Sequence, residues 1–250
     1  MKNFLKRNLI IFLILVLWYI LTSLEVWSSY VLPSPMKVWK TFINMVLSGE
    51  LFTNILVSMK RIIIGYSISF ILAFILGIMS NVKNKVVIYY EKLLELFRNI
   101  PPISLIAMLI LWFGIGETSK IIIIILASFF PMYFNIKSGI ETCDVKLVEV
   151  GQSMNFNRYN LYKKIILPYA IPEILVGMRL GFGYSWRAII GAEMIAASQG
   201  LGYLILDAQA MSRSDKIMVG IFSIGILGYL CDKIFCYFIS QFFYGGIPDV

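Results

Sequence analysis

Residues 62–82 read IIIGYSISFILAFILGIMSNV, a run uninterrupted by Asp, Glu, Lys or Arg. About 20 apolar residues in helical form cross the hydrocarbon layer of a bilayer, so this stretch has the length and composition of a membrane span. Comparable stretches lie at about residues 9–28, 99–116, 119–136, 172–198 and 217–240. In lipid, backbone polar groups must be satisfied inside the protein, which makes each stretch a helix. The whole chain of 250 residues carries the same signature, at 59% hydrophobic and 14% charged. Soluble domains have about 45–50% apolar and about 25% charged residues. The chain therefore reads as an all-α membrane protein, a polytopic bundle of about six transmembrane helices forming one domain over residues 1–250.

Charge and cysteine content exclude several function classes. The net charge of +8 reflects Lys and Arg flanking the spans, where they orient helices and meet anionic lipid rather than nucleic acid. Placing the N-terminus inside puts twelve Lys/Arg on inner segments and seven on outer ones, with Lys60 and Arg61 counted as outer. That asymmetry predicts both termini on the cytoplasmic side. Lys2, Lys6 and Arg7 ahead of residues 9–21 imitate a secretory signal, but the apolar stretch continues to Trp27 without a small-residue cleavage site. It reads as an uncleaved first span, with Trp18, Tyr19 and Trp27 as interfacial anchors. Cys143, Cys231 and Cys236 form no CxxC pair, and the chain has no His. A zinc site and a His-dependent nucleophilic site are thereby excluded.

Two connections are longer than a turn. In the outer one, about residues 29–61, Leu32-Pro33-Ser34-Pro35 suits a turn and helix start, and Val38, Trp39, Phe42, Ile43 and Val46 come after it at helical spacing. This predicts an amphipathic helix lying at the interface or packed on the bundle. The inner connection, residues 138–171, has helix-like sequence from 145 to 154, interrupted by Asn155-Phe156-Asn157. Asn155 suits a left-handed turn position, and Asn157 is placed to cap a second short helix at residues 158–166. Pro168 and Pro172 are expected to end that helix and begin the fifth span. The product is a helix-turn-helix elbow whose mixed surface of Leu147, Val148, Met154, Phe156, Tyr159 and Leu161 asks for a protein partner.

Glu149-Val150-Gly151, Asn155 and Ile165-Ile166-Leu167-Pro168 follow the EAA-x3-G-x9-I-x-LP spacing, and here the sequence resembles bacterial ABC-importer permeases. Val150 and Gly151 stand where Ala-Ala is usual, and Asn155 where the turn glycine is. Further blocks resemble the nitrate/sulfonate/taurine branch: Leu32-Pro33-Ser34-Pro35, Arg98-Asn99-Ile100-Pro101-Pro102, Trp112-Phe113-Gly114-Ile115-Gly116-Glu117, Trp186-Arg187, Ala192-Glu193-Met194 and Gly200-Leu201-Gly202-Tyr203. The resemblance implies a type I importer permease fold, with residues 1–61 as an N-terminal span and outer segment and 62–245 as the permease core. It also implies a homodimer in a bacterial cytoplasmic membrane, two cytoplasmic ABC ATPase subunits and an extracytoplasmic binding protein. The elbow would be the coupling helix, with Glu149, Val150, Gly151, Asn155, Asn157, Ile165, Leu167 and Pro168 as coupling positions. No phosphate-binding GxxxxGK[ST] loop is present, so ATP and Mg belong to the partner, and the chain is a transport subunit rather than an enzyme. Relatives of this branch carry sulfonates, taurine, nitrate or bicarbonate, and others carry pyrimidine precursors of thiamine.

Ionisable groups inside spans face a partner or a cavity. Arg187 and Glu193, with Trp186 and Asn99, are the candidates for a translocation path; the alternative for Arg187 and Glu193 is a structural pair, with each other or with other helices. Arg179 is expected to snorkel inward. Gly177, Gly181 and Gly183 permit close helix approach, within the bundle or at a dimer seam. A stand-alone secondary transporter would show an inverted repeat and paired broken helices, and the sequence shows neither.

Overall fold

A computed structural model describes residues 2–80 and 85–243, and every regular element among them is helical. Four helices among these residues are long and apolar enough to cross a membrane: Glu50–Met79, Glu117–Glu141, Arg158–Ala196 and Ser214–Ile239. The predicted third span is instead a broken one, in which Tyr89–Phe97 and Pro102–Phe113 meet at 90°. The first helix, α1 (Lys2–Ser23), stops short of the predicted residue 28. Glu25 adopts a left-handed φ of 50° there, and the chain turns away. Its Trp18 donates to the carbonyl of Pro33 at 3.1 Å rather than serving only as a lipid anchor.

The outer amphipathic helix forms as α2 (Pro35–Leu47), with Ser34 as its cap accepting from the Lys37 amide at 3.3 Å and Pro35 in the first turn. Val38, Thr41 and Met45 are buried, whereas Trp39, Ile43 and Val46 of the predicted stripe face outward. The outer connection ends far earlier than expected, because α3 (Glu50–Met79) starts at Glu50. Lys60 and Arg61, read as loop charges, are helical, and Arg61 is buried. After α4 (Lys85–Phe97), a 3₁₀ turn at Pro102–Leu105 leads into α5 (Ile106–Phe113). Lys83, which entered the orientation argument, and residues 244–250 lie outside the described residues.

The bundle is organised around α6 (Glu117–Glu141). Against it α3 runs parallel: a β-carbon on Gly65 would sit 2.7 Å from Ile124, and one on Gly77 2.5 Å from Ile136. On its other side α9 (Leu167–Ala196) runs antiparallel, with Gly177 against Asn135 and Gly181 against Met132. These two glycines serve the protomer's own core, and Gly183 meets nothing within 4 Å. Small residues let backbones approach where lipid supplies no hydrophobic drive between helices. Within the run at residues 121–125, Ile123 and Ile124 are fully buried, so part of that run is core. α10 (Leu201–Ala210), not anticipated from the sequence, and α11 (Ser214–Phe243) complete the far end. There Asp215 of α11 accepts from Thr41 of α2 at 2.7 Å. Arg179 does not snorkel; it grips Asp232 of α11 with two hydrogen bonds of 2.8 and 2.9 Å.

One ion cluster, buried except for Glu117, ties these helices together. Arg61 of α3 donates to Glu117 of α6 through Nε at 2.6 Å and Nη2 at 2.7 Å, and to Glu193 of α9 through Nη1 at 2.7 Å. Lys120 adds a second cation to Glu117 at 3.1 Å, so two positive and two negative groups balance. Glu193 is 0% exposed and also accepts from the Ser58 hydroxyl at 2.8 Å and the Gly202 amide at 3.0 Å. The predicted Arg187–Glu193 pair therefore does not form. The turn between α9 and α10 closes over this carboxylate: Arg61 Nη1 also donates to the Gln199 carbonyl, and the Gly200 amide donates to Asn54, each at 2.7 Å. Gly200 has φ +124°, and a β-carbon there would overlap the Glu193 carboxylate.

A buried charge stripped of its partner is costly, about 3 kcal/mol or more, whereas removing both partners is far milder. Arg61→Met, which leaves the fully buried Glu193 carboxylate without its cation, is thus expected to lower the thermal unfolding midpoint of the detergent-solubilised protein strongly, and Arg61→Met with Glu193→Leu to recover most of the loss.

Candidate functional site

The inner connection folds into the expected elbow. Asp144 caps α7 (Val145–Ser153), its carboxylate accepting from the Lys146 amide at 2.9 Å. At the end of α7, Asn155 takes φ 56°. The Phe156 amide bonds back to the Gly151 carbonyl at 3.1 Å and the Asn155 amide to that of Gln152 at 2.9 Å. This paired closure is a Schellman ending with Asn in the place glycine usually holds. Asn157 then caps α8 (Arg158–Leu161), its side chain accepting from the Asn160 amide at 2.8 Å. Gly151 is buried where the arms meet: a β-carbon would lie 2.5 Å from the end of Ile165 and 2.7 Å from that of Leu161.

The second arm does not end at the prolines. A π-helical stretch, Tyr162–Ile166, carries α8 directly into α9. Pro168 follows directly on the π stretch, and Pro172 lies inside α9. Arg158–Ala196 is in consequence one continuous helix of 39 residues, roughly 58 Å long at 1.5 Å per residue. It joins the elbow at one end of the bundle to the Glu193 cluster at the other.

Of the elbow residues, Glu149 and Val150 are exposed on α7, Leu167 is half-buried and Pro168 exposed. Met154 and Tyr159 are 62% and 68% exposed, and with Val150 they form an apolar surface. Lys163 lies 5.7 Å over the Tyr159 ring and Lys164 4.9 Å over that of Phe156. Arg158, Lys163 and Lys164 have no ion pair among the described residues. An apolar patch rimmed by unpaired cations is suited to bind an acidic or mixed protein surface.

The four candidate path residues separate. Asn99 lines a cavity of about 300 Å³ that also includes Arg98, Pro102, Pro131, Phe134 and Tyr184. Arg187 is exposed on α9, three residues beyond Tyr184. Trp186 is buried against Gly228 of α11, and Glu193 is sealed in the ion cluster. Arg61, Glu117 and Ser58 were missed as structural partners, and Arg98 and Tyr184 as cavity residues. Arg98 and Glu117 lie in blocks that carry the family resemblance, but their roles, like those of Arg61, Ser58 and Tyr184, emerge only from the packing of the helices on α6.

With this geometry established, comparison with known proteins adds the family. The model of the family described as "Binding-protein-dependent transport system inner membrane component" matches residues 65–244. The putative aliphatic sulfonates transport permease protein SsuC of Bacillus subtilis (strain 168) is 36% identical over 231 residues, covering 92% of this chain and 84% of its own. The taurine transport system permease protein TauC of Escherichia coli (strain K12) is 30% identical, over 88% of this chain and 82% of its own. The nitrate import permease protein NrtB of Leptolyngbya laminosa is 24% identical over 95% and 86%. Among solved structures, an amino acid ABC transporter with histidines matches with a TM-score of 0.67 at 16% identity, covering 81% of this chain and 97% of that one. The inward-facing MetNI methionine ABC transporter matches at 0.60 and 13%, covering 76% and 97%. The fold is that of type I ABC importer permeases.

The left-handed turn at position 155 generates a direct test of the elbow. Asn155→Gly is expected to leave hydrogen-exchange protection of the amides in residues 145–166 unchanged. Asn155→Val carries a β-branched side chain into φ 56°, costing about 1–2 kcal/mol, and should lower that protection about tenfold.

Proposed function

This chain belongs to the family of binding-protein-dependent transport system inner membrane components, and from that premise we propose how it works. It is the membrane-spanning permease of an ATP-driven importer, a transport component rather than an enzyme. Two copies form the translocation unit, with both termini cytoplasmic. A cytoplasmic ABC ATPase, which holds ATP and Mg, seats each elbow, and an extracytoplasmic binding protein delivers the ligand at the end of the bundle that carries the Glu193 cluster. The sulfonate, taurine and nitrate named for the relatives support a small anion as cargo.

The observation that carries this reading is the elbow itself, a rigidly capped pair of helices with an apolar surface whose rim of cations has no ion pair among the described residues. Glu149 and Val150 lie on its exposed face. Gly151, Ile165 and Leu167 hold its two arms together, Asn155 and Asn157 shape the turn, and Pro168 marks where it joins the membrane helix. Closure of two ATPase subunits on ATP would draw the elbows together. Because α8, the π stretch and α9 are continuous, that displacement passes along one rod to the cavity and the ion cluster. The two-state switch between inward- and outward-facing forms then needs no separate relay.

Affinity-tagged protein drawn from its native membranes is expected to bring down a polypeptide that an azido-ATP photolabel marks. Met154→Glu with Tyr159→Arg should reduce the labelled partner at least tenfold while the permease is recovered in full. Undiminished labelling in that variant, or no labelled partner with the unaltered chain, would refute the proposal.

A further inference from the structure

The helical bundle treats its arginines in two ways. Arg61, Arg179 and Arg213 each grip a carboxylate through two nitrogens, at 2.6 to 2.9 Å. Arg98 and Arg187 have no acidic partner among the described residues, and neither is buried. An exposed guanidinium at the end of a membrane helix is available to water or to a ligand of opposite charge. Arg98 meets that condition at the cavity of about 300 Å³, near the lower size limit for small-ligand sites.

The cavity exists because proline interrupts two of its walls. Pro101 and Pro102 lie just past the end of α4, and the chain bends by 90° before α5. Opposite, Pro131 sits inside α6, where it supplies no N–H to the Ala127 carbonyl. Into this space the Arg98 guanidinium is held over the Phe134 ring, 4.9 Å from its centroid. A ring face holds the cation in place and leaves its charge uncancelled. Tyr184 of α9 lines the same cavity, and Arg187 comes three residues later, roughly 4.5 Å further along the helix axis toward the ion-cluster end. Arg187 is exposed on α9 beyond the cavity and is not one of its lining residues.

We propose that this cavity is a transient anion-binding station on the translocation path, with Arg98 as its recognising group and Arg187 as the preceding contact. Its ligand class is a small oxyanion such as a sulfonate, whose oxygens match the planar guanidinium fork. The proposal deepens the importer reading above and rests on it for the path, its direction and the ATP-driven motion; the anion-binding cavity itself stands on Arg98 and the lining residues. Because α9 carries both Tyr184 and the elbow connection, displacement of α9 relative to Arg98 would open or close the station with each ATP cycle.

The test uses the permease–ATPase complex with Cys143, Cys231 and Cys236 replaced by Ser and Tyr184→Cys as the reporter. The probes are two thiol reagents of similar size, the anionic sulfonatoethyl methanethiosulfonate and its cationic trimethylammonium counterpart. A cation-lined cleft concentrates counter-ions about tenfold or more, so the thiol introduced at position 184 should react about tenfold faster with the sulfonate than with the cation. Arg98→Gln should abolish the preference and Arg98→Lys should retain part of it, with both variants still assembling with the ATPase. Equal rates for the two probes, or a preference that survives Arg98→Gln, would overturn the station while leaving the importer reading intact. A preference in a chain that recruits no ATPase would do the reverse.

Discussion

Arg61 is the constraint on which the rest of the bundle depends. A guanidinium with a side chain 5% exposed is tolerable in a low-dielectric interior only when its charge and donors are met, and two carboxylates from two other helices meet them. That requirement fixes how α3, α6 and α9 stand relative to one another, since none can slide without uncovering a charge. It also fixes the turn after α9, whose Gly200 and Gly202 leave the space that the Glu193 carboxylate occupies. Close packing at Gly65, Gly77, Gly177 and Gly181 then extends the same register along α6.

The consequence for function is mechanical. One end of α9 is held by the ion cluster and the other continues without a break into the elbow, so a displacement at the elbow has a stiff element to travel along. Between the two ends the helix passes the only region of the bundle, among the described residues, where two arginines have no acidic partner. The elbow, the cavity wall at Tyr184 and the ion cluster thus share one helix. Under the importer reading proposed above, the elbow is the seat for an ATP-binding partner and this helix the element that carries its motion.

Much of this was legible in the sequence, and the exceptions share a cause. The elbow was readable because its determinants are local: Asn155 tolerates a left-handed backbone, Asn157 caps the short helix after it, and the spacing of Gly151 from Ile165 sets the contact between arms. The start of α2 was readable for the same reason, through Ser34 and Pro35. Charge was misleading. Lys60 and Arg61 look like the end of a loop until Glu117 and Glu193, more than fifty residues away, are seen to neutralise Arg61. For Glu193 the sequence offers the path, Arg187 or a partner on another helix; the last is what forms, and its identity as Arg61 is hidden because a sequence shows neighbours along the chain and not across it. The prolines at 168 and 172 signalled a break, but the helix runs through both, Pro168 falling just after the π stretch and Pro172 lying inside α9.

The central claim is that the elbow seats an ATP-binding partner on the side of the membrane opposite the Glu193 cluster. A photo-crosslinking amino acid placed at Met154, and in a second sample at the exposed Ile115 near the cluster end, tests it in intact native membranes. The account predicts an adduct between position 154 and an ATP-binding protein, and none with that protein from position 115. Adducts of position 154 with lipid alone or with an extracytoplasmic protein, or the ATP-binding protein captured from position 115, would contradict it.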